Sequence, residues 1–96
     1  MKPSIALDRN REAVRAAVSR FRATNPRVFG SALRGDDRDD SDIDILVDAL
    51  PGATLFDLGG LQVELEEILG VRVDLLTPGD LSRHLRERVL AEAAPV

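Results

Sequence analysis

Asp42 and Asp44 stand two residues apart in Ser41-Asp42-Ile43-Asp44-Ile45-Leu46-Val47-Asp48, at the mouth of an apolar run. Side chains alternate across a strand, so the two carboxylates project from one side. Two neighbouring acids repel, and the arrangement persists most readily with a cation between them. Hard oxygen donors at this spacing suit Mg²⁺ or Mn²⁺, which complete their shells with water and phosphate oxygens.

Upstream, the apolar strand Arg27-Val28-Phe29 runs into Gly30-Ser31. A small residue there lets backbone N–H groups approach an anion, and a hydroxyl beside them can contact phosphate. A phosphate cradle followed by a two-carboxylate cation site reads as nucleoside triphosphate chemistry. Either fragment alone is common in solvated turns and strand ends; their order is what carries the signal. Two cations about 3.5–4 Å apart need three or more carboxylates. Asp74, flanked by Val73 and Leu75, supplies a third. A lone acid within an apolar strand is expensive unless something positive faces it, so its alternative is a salt bridge to a helix arginine. Arg34 has two readings, a phosphate contact or a partner for the loop acids. Ser41 is expected to fix the loop by bonding backbone, and His84 lies in a polar helix run without a chemical role.

The elements that must position these groups can be read in order. Asp8 is a plausible cap for a helix over roughly 9–24, with Val14, Ala17, Val18 and Phe21 on its buried stripe. Asn25-Pro26 is expected to end it. A short strand, 27–29, precedes a helical turn from Ser31 to Gly35. Residues 36–40 carry four acids in five positions and are expected to be an exposed loop. A strand over 42–48 turns Ile43, Ile45 and Val47 to the core and Asp42, Asp44 and Leu46 the other way. Thr54 caps a helix over 55–69, in which Gly59-Gly60 implies close packing or a later start. Gly70 suits a left-handed C-terminal cap. A strand over 71–76 and a helix over 80–93 complete the pattern, with nothing expected beyond Pro95. This order gives an α/β (α+β) domain, a small sheet with helices on one face, over residues 1–96.

Composition narrows the class. Ninety-six residues suffice for one core. With three Phe, no Trp and no Tyr, that core must be aliphatic. The absence of Cys excludes disulfides and Cys-ligated zinc and fits a cytoplasmic setting. No apolar run approaches the roughly 20 residues of a membrane span. A formal net charge of −4 argues against broad nucleic-acid binding. The arginines at 9, 11, 15, 20, 22 and 27 crowd the N-terminal segment, either as solvated decoration or as contacts to a partner or nucleotide.

The pattern Gly30-Ser31-x(2)-Arg34-Gly35-x(5)-Ser41-Asp42-Ile43-Asp44-Ile45-Leu46-Val47 resembles the signature of the nucleotidyltransferase superfamily that includes DNA polymerase β. More narrowly, the chain resembles the minimal nucleotidyltransferases paired with HEPN-domain toxins in prokaryotic toxin–antitoxin modules. Residues 70–78 resemble that family's third-acid strand and residues 85–93 its last helix. Ala32-Leu33 departs from it, since many relatives carry Arg directly after Gly-Ser.

The resemblance implies the mixed sheet of the polymerase-β-like fold. It implies catalytic and metal-binding roles for Asp42, Asp44 and Asp74, with Mg²⁺ (two ions, or Mn²⁺) as cofactor. Gly30, Ser31 and Arg34 would bind the nucleotide, ATP. The implied reaction is transfer of AMP to a tyrosine of a HEPN-type ribonuclease toxin, silencing it as an antitoxin does. The chain itself has no Tyr to modify and no room for an acceptor domain, so a hetero-oligomeric partner is expected. The alternatives are an antitoxin acting by steric binding alone, and a stand-alone transferase acting on a small molecule or an RNA end.

Overall fold

The computed structural model describes residues 1–96. Its centre is a four-stranded mixed sheet in the order β3-β2-β1-β4. Strand β1 (Ala23–Phe29) and strand β2 (Ile43–Ala49) run antiparallel, β2 and β3 (Val73–Leu76) parallel, and β1 and β4 (Ala94–Pro95) antiparallel. The expected α/β architecture with a mixed sheet is therefore present.

One face of the sheet carries Val28, Ile43, Ile45, Val47 and Val73 into the main core. Three helices cover it: α1 (Pro3–Arg9), α2 (Arg11–Arg20) and α4 (Leu55–Leu69). They contribute Leu7, Val14, Val18, Leu61 and Leu65, each at most 2% exposed. Fully burying one such side chain is worth about 1.5–3 kcal/mol, which makes this aliphatic layer the main stabilising element. Thr54 and Asp57 form a reciprocal capping box at the start of α4, and Gly70 closes it in the left-handed conformation. Gly60 resolves the conflict noted inside that helix. A Cβ there would lie 2.7 Å from the Phe21 ring, so the missing side chain is what lets α2 and α4 approach.

The opposite face is divided. Phe29, Leu46, Leu81 and Val89 form a second, smaller cluster, with α5 (Arg83–Glu92) packed over that part of the sheet. Helices thus lie on both faces, not one as the element order suggested. Leu46 sits on the acid side of β2 and is nonetheless fully buried, because this second cluster exists.

Several boundaries differ from the sequence expectation. The long N-terminal helix is two helices broken at Asn10, and Asp8 belongs to α1, paired with Arg11 at 2.7 Å instead of capping. Helix α2 ends at Arg20, and Arg22 and Asn25 both take positive φ. Asn25-Pro26 lies inside β1 at a register shift, a bulge that accommodates proline within a paired strand. The last helix is preceded by a separate 3₁₀ turn, Pro78–Asp80, and starts only at Arg83. The third strand starts at Val73 and not at 71. Finally, the chain beyond residue 93 is structured: β4 pairs with β1, and Val96 is buried with its N–H donating to the Pro26 carbonyl.

Most of the N-terminal arginines have partners within the chain. Arg20 meets Glu64 at 3.2 Å, Arg27 meets Asp48 at 2.7 Å, and Arg15 donates to the Val96 carbonyl.

Candidate active site

Strand β1 ends at Phe29, and the chain turns through Gly30 into the four-residue helix α3 (Ser31–Arg34). Gly30 adopts φ 73° and ψ −150°, a region open essentially to glycine alone. A Cβ at this position would also collide with Oδ2 of Asp44. The turn and the acid are therefore in direct apposition, since Phe29 is the register partner of Asp44 across β1 and β2. The helical turn closes on itself: the N–H of Arg34 donates to the Gly30 carbonyl, and those of Gly35 and Asp36 to the Ser31 carbonyl. Its first-turn amides have no intrahelical partner.

Asp74 is brought to the same place by the parallel ladder, in which Asp44 pairs with Asp74. Parallel neighbours lie about 4.8 Å apart across the sheet, so the two carboxylates flank each other on one face. Asp44 is half-buried and Asp74 exposed. Asp42 precedes β2 and is held by Arg72, whose Nε donates to Asp42 Oδ1 at 3.2 Å.

These neighbours set the protonation of Asp44. Burial pushes its carboxyl up, the charge and hydrogen bond of Asp74 push it further, and Asp42 adds to this. Arg34 acts in the opposite sense, and the result is a value of about 6. The alternative of an arginine partner for Asp74 is not realised; its close neighbour is another acid. Three acids with this mutual repulsion form a hard-oxygen donor set whose charge a divalent cation would relieve. By themselves they do not close into a metal cage, and no other group of three His or acidic side chains does.

Of the residues expected at the site, Gly30, Ser31, Asp42, Asp44 and Asp74 gather at one end of the sheet. Arg34 lies within electrostatic reach of Asp44, and its Nε meets Asp36 Oδ2 at 3.5 Å, the loop-acid pairing. Ser41 acts as a loop fastener, its Oγ accepting from the Arg38 N–H at 2.9 Å. His84 is exposed, away from these acids in sequence and element.

One expectation for the loop fails. Asp37 is only 3% exposed. Its two oxygens accept from the N–H and the hydroxyl of Ser4, at 2.8 and 2.9 Å. Burial pushes this carboxyl up, but the Ser4 bonds, its own backbone N–H and the charge of Lys2 outweigh that and hold it below the usual range. Nothing local in the sequence announces this contact, because its partner lies 33 residues away. The second half of the loop borders an open groove of about 600 Å³, lined by Asp39, Asp40, Ser41, Asp42, Glu66 and Arg72 among others. The groove abuts the site on the Asp42 side only.

Comparison with known proteins identifies the family. The nucleotidyltransferase domain family matches residues 10–96. The protein adenylyltransferase MntA of Thermococcus cleftensis is 40% identical over 77 residues, 80% of this chain and 78% of that protein. A solved structure described as a candidate minimal nucleotidyltransferase superposes with a TM-score of 0.88 at 46% identity, covering 97% of this chain and 95% of that one. A toxin–antitoxin structure with AMP-PNP shares the fold, at 23% identity and a TM-score of 0.66 over 84% of this chain and 70% of that one. The chain thus belongs to the nucleotidyltransferase family, among its minimal members.

Proposed function

We propose that this enzyme uses Mg²⁺ to transfer AMP from ATP to a tyrosine hydroxyl of a HEPN-type toxin, and so acts as that toxin's antitoxin. The observation that carries the reading is the apposition of Gly30 to Asp44, with Asp74 in register beside it. It brings a turn suited to a triphosphate and a set of acids suited to a cation to one point. The acceptor class draws on the resemblance described above and on the MntA and toxin–antitoxin relatives.

In this reading Asp42, Asp44 and Asp74 would hold Mg²⁺, which would supply positive charge against the charge building on the α-phosphate. The Ser31 hydroxyl and the Gly30 and Ser31 amides hold the triphosphate, and Arg34 adds a positive charge beside it. Asp74, the most exposed of the three, orients the acceptor and takes its proton. The acceptor oxygen forms a bond to the α-phosphorus, the bond to the bridging oxygen of the β-phosphate breaks, and pyrophosphate leaves. The chain's contribution is placement and electrostatics.

The test is transfer of label from α-labelled ATP, with Mg²⁺, into a co-expressed toxin, run beside the Asp74→Ala variant. The expected result is a labelled toxin band that needs both Mg²⁺ and Asp74, located on a tyrosine by mass spectrometry. A toxin that is silenced yet unlabelled would overturn the reading in favour of steric binding, and label in RNA would redirect it to nucleic-acid ends.

A further inference from the structure

The loop between the phosphate turn and the acids contains one buried charge among exposed residues. Asp36, Arg38, Asp39 and Asp40 are all exposed, whereas Asp37 is sealed against the first turn of α1. Ser4 gives it a backbone amide and a hydroxyl, both directional, at 2.8 and 2.9 Å. Beyond it the loop fastens to itself: Arg38 N–H donates to Ser41 Oγ, and Ser41 N–H to the Arg38 carbonyl at 3.0 Å. Asp42 follows directly.

The Gly30–Gly35 turn, by contrast, is closed by three backbone bonds of its own. Between that turn and Asp42, the Asp37–Ser4 pair is the contact that ties the loop to α1. The match to the nucleotidyltransferase domain begins at residue 10, after α1.

We propose that Asp37, locked on Ser4, is a positioning residue: it fixes the loop that delivers Asp42, and so makes α1 part of the catalytic apparatus. This rests on the reading of Asp42 as a cation ligand. Loosening the latch displaces the cation while leaving the triphosphate site intact, so the turnover rate and cation affinity change and the KM for ATP does not.

The experiment compares Asp37→Ala, Ser4→Ala and Ser4→Thr with the unaltered protein. It measures transfer kinetics, Mn²⁺ binding by electron paramagnetic resonance, and thermal unfolding. Misplacement of about 1 Å costs on the order of 100-fold, so Asp37→Ala is expected to lower kcat by about 10- to 100-fold and weaken Mn²⁺ several-fold, with KM for ATP within about twofold. Ser4→Thr keeps both donors and should restore the unaltered behaviour, while Ser4→Ala should not. The proposal is overturned if Asp37→Ala leaves kcat and Mn²⁺ binding within about twofold. It is equally overturned if the loss disappears at a temperature where that variant is fully folded, or if Ser4→Thr is as impaired as Ser4→Ala. Should the unaltered protein transfer no label, the proposed reaction fails on its own, and the Mn²⁺ titration still decides the role of Asp37.

Discussion

Asp37 and Asp44 lie seven positions apart, and the fold treats their carboxylates in opposite ways. Asp37 is the more deeply buried, yet donors surround it and hold it ionised. Asp44 is less buried, yet acids surround it and push it towards the protonated form. What decides is the neighbours and not depth. A carboxylate given donors strengthens the fold; one set against other carboxylates weakens it.

The contrast can be broken at its most demanding point by removing the acids. Asp44→Ala or Asp74→Ala should reduce nucleotidyl transfer by on the order of 10³-fold or more while the chain stays folded, which paired activity and circular-dichroism measurements check. Gly30→Ala attacks the same site through the backbone. Its positive φ and the collision with Asp44 should cost about 2–4 kcal/mol, seen as a lowered midpoint in urea.

The Asp37 side of the comparison is tested by Asp37→Asn. Its depressed pKa means that the native state holds this group ionised, so its stabilisation is complete above the ordinary value of 3.8 and lost as pH falls through the native value. The substitution should cost about 1–3 kcal/mol at pH 7 and flatten the acid limb of the stability curve.

Asp44→Asn should do the reverse without metal. Asp44's pKa is raised from 3.8 to about 6, so the native state binds more protons than the unfolded chain between those values. Stability therefore falls as pH rises through that window, and the penalty is complete above it. The variant should be more stable at pH 7 by about 1–2 kcal/mol after solvent screening, with no gain below the window. Thermal unfolding at pH 4 and pH 7 in a chelator checks the sign.

The sequence exposed the parts of this comparison unevenly. Ile43, Ile45 and Val47 alternate with Asp42 and Asp44, so the strand and its two faces follow from a period of two. Thr54, Gly70 and the apolar stripe define α4 from local rules alone. Asp37 was not legible, because burial of a charge depends on a donor supplied by a helix far along the chain. Helix α1 itself is short and broken from α2 at Asn10, and a continuous helical pattern hides that break. Asn25-Pro26 is chemically as suited to a strand bulge as to a helix stop, and only pairing with β2 decides. Strand β4 is two residues long, and its existence depends on an edge of β1 that no local signal reveals. The acids' spacing was visible; their protonation was not, since it depends on which carboxylates become neighbours.

The parallel pairing of β2 with β3 gives the site a phase. Asp44 and Asp74 meet because α4 and the residues after it return the chain with the correct parity. Adding or removing a single residue between Gly70 and Val73 with the ladder retained would turn Asp74 into the apolar layer and bring Val73 or Leu75 out beside Asp44. A change of two residues would preserve the face and shift the pairing by one step. The loop carrying Asp37 has no such rule, because it enters the strand from outside the ladder. Length variation among descendants of this chain should therefore be graded by parity at one junction and by anchorage at the other.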